Sequence, residues 1–150
     1  MATKKKRRIK IIAGLSGKSK RKVRKHLSAD SLIAMTRKEF QQIQDHRADN
    51  SQIALDDILM SAFAMFSLKD PSLPAFDKRR QEEPENLHTT FSITDIPCDS
   101  QMRTTLDPMD PARLRSAFQA GFRQLQRGKA FEKMVFLDDH YLLSGDGTGF

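Results

Sequence analysis

The chain has 150 residues, a hydrophobic share of 38%, an aromatic share of 7%, no Trp, one Cys and a formal net charge of +7. That length suits one domain with or without flexible ends, and the core must come from Leu, Ile, Met and the ten Phe. A lone Cys98 excludes an internal disulfide framework, four scattered His offer no zinc pattern, and no apolar run nears the roughly 20 residues that span a bilayer. The expectation is a cytoplasmic protein without a signal peptide.

The charge is not spread evenly. Residues 1–25 hold twelve Lys or Arg and no acid, while the rest of the chain carries fourteen basic residues against all nineteen acidic ones. Basicity therefore belongs to an arm, which is the pattern of a tail that meets a polyanion. The stretch KKKRRIKIIAGLSGKSKRKVRKH alternates charge blocks with a small apolar island, Ile9, Ile11, Ile12 and Leu15. Residues 1–28 are read as a disordered basic arm. Its phosphate contacts are assigned to Lys4, Lys5, Lys6, Arg7, Arg8, Lys10, Lys18, Lys20, Arg21, Lys22, Arg24 and Lys25. On DNA these side chains would release counterions and bind without choosing a sequence. A solvated tail, or a localisation-type cluster at Lys4–Arg8, is the plainer reading of the same residues. No amphipathic apolar face accompanies the charges, so a membrane surface is not expected as a partner.

From residue 29 to 128 the pattern is that of a helical module. In SADSLIAMTRKEFQQIQDHR, Leu32, Met35, Phe40 and Ile43 mark a partial stripe, and Thr36 with Glu39 offers a capping box for a fresh helical start. In NSQIALDDILMSAFAMFSLKDPS, Leu55, Ile58, Leu59, Ala62, Phe63 and Phe66 make a broad apolar helical face. Asn50 or Ser51 would cap it, Asp70–Pro71 would end it, and Met60 and Met65 suggest burial on more than one side. SLPAFDKRRQ is read as a short helix with Leu73 and Phe76 inward. Lys78, Arg79 and Arg80 then face outward, as possible phosphate contacts or as an ordinary wet face.

EEPENL reads as a loop and NLHTTFSI as a brief helix at most. Asp99 is expected to cap a segment with Met102 and Leu106 inward. Asp110 as N-cap and Pro111 at the first helical position open the clearest helix, striped by Leu114, Ala117, Phe118, Gly121, Phe122 and Leu125. Gly128 would stop it in a left-handed conformation. KAFEKMVFLDD is ambiguous between helix and strand and is taken as a short helix with a loop at Asp138–Asp139. Tyr141, Leu142 and Leu143 read as a strand with no partner, which predicts the front part of something longer.

Asp146 lies in SGDGTG, beyond that strand. A hairpin bend is the plain reading. A phosphate loop fits poorly, because no Lys follows and no helix has room to start. A carboxylate placed after an apolar strand also suits a hard cation, but two-metal phosphodiester chemistry needs several such carboxylates together.

Taken in order, LDDILMSAFAMFSLKDPSLPAFDKRR and NLHTTFSITDIPCDSQMRTTLDPMDPARLRSAFQAGFRQLQRGKAFEKMVFLDDHYLLSGDGTGF resemble the front end of DDE transposases of bacterial insertion sequences. The resemblance spans roughly residues 51 to 150 and rests on the order of blocks that are loose singly. It implies a mainly α fold: a helical DNA-binding module over 29–128, then, over 129–150, the first strand of a truncated RNase H-like α/β catalytic domain. It also implies that Asp146 is the first catalytic acid and a metal ligand, with Mg2+ acting only in the full-length parent. Gly145 stands where that strand would carry another apolar residue. The implied partners are DNA at terminal inverted repeats and, in an oligomer, full-length transposase, in a nucleoid-associated setting. The chain alone is expected neither to cut nor to join DNA. The alternative is a complete small basic nucleic-acid-binding protein, a chaperone or ribosome-associated factor, in which Asp146 is a turn residue.

Overall fold

A computed structural model of the chain describes residues 27–48, 50–136 and 140–141. The architecture is mainly helical. In chain order it runs α1 (Ala29–Phe40), α2 (Leu55–Ser67), α3 (Leu73–Glu82), α4 (Pro84–Phe91), α5 (Asp99–Leu106), a 3-10 turn (Pro111–Leu114), α6 (Arg115–Arg127) and a second 3-10 turn (Ala130–Met134). A two-residue hairpin ladder follows, β1 (Val135–Phe136) against β2 (His140–Tyr141).

α1 is one uninterrupted helix. Ser28 caps it by accepting the Ser31 N–H at 3.2 Å. Thr36 starts nothing: its hydroxyl donates to the Leu32 carbonyl at 2.9 Å, one turn back, and so remains inside the helix. The expected capping box is therefore absent, and the buried anchors of α1 are Ile33 and Phe40.

α2 is the central element. Leu55, Ile58 and Leu59 are buried as their spacing demands, and so are Met60, Ser61 and Ala64, which gives the helix buried contacts well round its circumference. Its N-cap is Ala54, with no side-chain cap, so neither Asn50 nor Ser51 plays that part. Phe66, in the last turn, is 74% exposed rather than inward, although Ala64 in the same turn is fully buried.

The EEPENL stretch is not a loop. Only Glu83 breaks the backbone, with φ −134° and ψ 48°, and Pro84 opens α4 at a position where its missing N–H is not needed. α4 ends at Ser92 in a left-handed conformation with φ 57°. The cap of α5 is Cys98, with Asp99 the first helical residue; the Gln101 side chain accepts the Cys98 N–H at 2.9 Å. Asp110 caps as expected, accepting the Ala112 N–H at 2.9 Å, but the first turn behind Pro111 is 3-10 and the α-helix starts at Arg115.

Gly128 is right-handed, at φ −78°, and Lys129 takes the left-handed position at φ 58°. The glycine is required for space instead. A Cβ there would lie 2.5 Å from Cγ and Cδ2 of Leu27.

Of KAFEKMVFLDD, the described part divides into the second 3-10 turn and β1, and the loop expected at Asp138–Asp139 lies outside the described residues. The strand at Tyr141 is paired, in the register Val135↔Tyr141 and Phe136↔His140, which corrects the expectation of an unpaired strand. Leu142 and Leu143 lie outside the described residues.

The core is one cluster that draws on α1 to α6, with Ile58, Met60, Phe76, Leu87, Ile93 and Met102 sealed from solvent. Each such side chain contributes about 1.5–3 kcal/mol relative to exposure. Among the described residues no helix is long and apolar enough to cross a membrane.

Candidate nucleic-acid interface

Lys4–Lys25 and Asp146 lie outside the described residues, so the interface that can be built from geometry begins with α3. Ser72 caps this helix by accepting the Ala75 N–H at 3.3 Å, and Phe76 drives it into the core. The Lys78–Arg80 run follows directly, and each cation meets a carboxylate. Arg79 grips Asp70 as a fork: Nε lies 2.8 Å from Oδ2 and Nη2 2.8 Å from Oδ1. Its Nη1 reaches Glu83 at 3.1 Å. Hydrogen bonding to Asp70 raises the Arg79 pKa, so the guanidinium stays charged under all ordinary conditions.

Arg80 pairs with Asp77 at 2.9 Å, and Lys78 approaches Glu82 at 3.7 Å. The arrangement ties the segment after α2 to α3 and leaves little net field at this face. A phosphate docking here would have to compete with these acids.

A second charged centre is internal. Asp57, 2% exposed, sits in the first turn of α2. It accepts from Arg37 of α1 at 2.8 Å, from the Thr94 N–H at 3.2 Å and from the Asp95 N–H at 2.9 Å. Arg37 also lies 3.3 Å from Asp56. One carboxylate thus joins α1, α2 and the segment between α4 and α5. This is scaffolding chemistry: every charge is spent on a partner inside the fold. Sequence reasoning did not single out Asp57. Its signal, an acid among otherwise apolar positions of the buried helix face, is visible only once the face is known.

The third feature is apolar. A groove of about 630 Å³ runs between α1, α2 and α6, lined by Leu32, Met35 and Phe40, by Leu59, Ala62, Phe63 and Phe66, and by Ala117, Phe118, Gly121, Phe122 and Leu125. The α6 stripe read from sequence is this lining. Ala117 is buried, but Phe118 is 76% and Phe122 53% exposed, so the stripe forms a wall of the groove rather than a sealed core. Phe122 packs on Phe131 at a centroid distance of 5.0 Å, and Phe131 on Tyr141 at 6.4 Å, which carries the aromatic surface to the hairpin.

Among the described residues no group of three or more His, Cys, Asp or Glu is placed to hold a metal ion. Compared with known proteins, the chain matches no family model, no curated protein and no solved structure.

Proposed function

We propose that this chain is a DNA-binding protein, the end-binding front part of a transposase of the DDE type. The observation that carries the reading is the charge partition: twelve Lys or Arg without an acid in residues 1–25, ahead of a helical body whose Lys78, Arg79 and Arg80 are already matched by acids. An arm of that kind gains affinity for a phosphate backbone by counterion release. The ordered resemblance over residues 51–150 supports the narrower part of the proposal, the terminal inverted repeats as target and Asp146 as the first acid of an RNase H-like strand.

Mg2+ would belong to the parent enzyme. A single carboxylate at Asp146 is not a ligand set for a two-metal centre, so the chain by itself binds ends without cleaving them.

The test is a gel shift against terminal inverted repeats in excess unrelated duplex, with Mg2+ present and the products examined for nicks. Retention on the repeats with intact strands is expected. Absence of any duplex binding overturns the DNA reading. Metal-dependent nicking overturns the assignment of a binding-only role.

A further inference from the structure

Charge in the described body is unevenly balanced. Before Asp110 acids outnumber bases: Arg37, Arg47, Lys78, Arg79 and Arg80 each hold a carboxylate within 4.0 Å, while Lys38, Lys69 and Arg103 show no ion pair among the described residues. From Pro111 to Phe136 the balance reverses: Arg113, Arg115, Arg123, Arg127, Lys129 and Lys133 stand against the single acid Glu132, which Lys129 takes at 2.8 Å. Arg115, Arg123 and Arg127 are exposed, and among the described residues none of the three has an ion-pair partner.

Their spacing places them on one side of α6. Steps of eight and four residues at 100° each keep the three within about a third of the helix circumference, and a 1.5 Å rise per residue spreads them over about 18 Å. Ala117 and Gly121, which face α1 and the groove, lie on the other side. The body is therefore held by the apolar face of α6 while its cationic face is left to solvent.

We propose that Arg115, Arg123 and Arg127 form a second phosphate-contact strip, which lays α6 along the backbone of duplex DNA while the arm supplies the first set of contacts. The inference rests on the DNA-binding reading and locates its folded part. Guanidinium groups suit this task because their planar donors match phosphate oxygens in pairs. A rigid helix adds what an arm of charges lacks, a fixed orientation of the body on the duplex.

The experiment uses the full chain and a fluorescent 20-bp duplex of arbitrary sequence, with affinity measured by anisotropy across a salt series. In the triple variant Arg115→Gln/Arg123→Gln/Arg127→Gln the slope of log K against log salt becomes shallower by roughly 2 to 3 units, about 0.9 per lost phosphate contact, and affinity falls at least about tenfold. The charge-keeping triple variant with Lys at the same positions retains most of the slope. Should the Gln triple lose its helical circular dichroism, the single variant Arg127→Gln decides, with an expected change of about 0.9 units. A Gln variant that folds and binds with the wild-type slope, while neutralising Lys20, Arg21 and Lys22 flattens it, overturns the strip and leaves the DNA reading standing. A wild-type chain that does not bind the duplex at all overturns both.

Discussion

Arg37 Nη2 lies 2.8 Å from Asp57 Oδ1, and that one contact locks α1 to α2 at the centre of the fold. A buried carboxylate is tolerated only when its lone pairs are met, and here a guanidinium and two backbone N–H groups meet them. Asp57→Ala strands both amides and leaves Arg37 with Asp56 as its one remaining carboxylate partner among the described residues. The expected loss is about 3–5 kcal/mol, read as a lower urea midpoint with circular dichroism as the probe. Asp57→Asn keeps the shape and an acceptor and is expected to lose less. Equal stability of Asp57→Ala and wild type contradicts the network.

Gly128 is a packing residue. Gly128→Ala would place a methyl 2.5 Å from Leu27, and its expected cost is about 1–3 kcal/mol. In the double variant Gly128→Ala/Leu27→Ala, the added methyl costs less than it does alone, because the clashing side chain is gone. Simple additivity of the two changes in thermal denaturation argues against the contact.

Asp45 gives a pH signature. A side-chain hydrogen bond from Arg47 Nε at 2.9 Å, with Nη2 at 2.7 Å from the other oxygen, lowers its pKa to about 2. A lowered folded pKa means that its contribution is fully present above the ordinary carboxylate value of 3.8 and is lost as pH falls through about 2. Asp45→Asn is therefore slightly less stable than wild type at pH 6, and the two melting curves converge near pH 2. The pair is partly exposed, so the difference is small and shrinks in high salt. A gap that widens on acidification contradicts the assignment.

Burial separates two kinds of Phe. Phe76 is fully buried, and Phe76→Ala is expected to cost about 3–5 kcal/mol. Phe118→Ser, at a position 76% exposed, is expected to change stability by no more than about 0.5 kcal/mol while reducing the binding of an apolar fluorescent dye to the groove. Unchanged dye binding in a Phe66→Ser/Phe118→Ser variant contradicts the groove.

Helical periodicity made α2 and α6 legible, because their apolar residues recur at three and four positions and the fold buries or lines its groove with them. Periodicity does not say how far a face is covered, which is why Phe66, Phe118 and Phe122 read as inward yet stand largely in solvent. Local chemistry misled where two roles share one residue type. Thr36 can cap or back-bond, a glycine can turn left or make room, and a proline can end a helix or open one. Lys78, Arg79 and Arg80 read as an outward basic run; their partners Glu82, Asp70 and Asp77 are close in sequence, but only the fold of the turn into α3 brings Asp70 onto Arg79. Arg115, Arg123 and Arg127 read simply as off the stripe. That none of the three has an ion-pair partner among the described residues appears only when the acids of the other helices are placed.

The central claim is that charge on this chain serves a phosphate backbone, and the salt dependence of binding to plain duplex DNA tests it most directly. The account predicts that log K falls linearly and steeply with log salt, by several units of slope, with the arm's Lys and Arg each contributing up to about 0.9. Binding whose strength is indifferent to salt between 50 and 200 mM, on the order of the range over which such contacts respond, contradicts it.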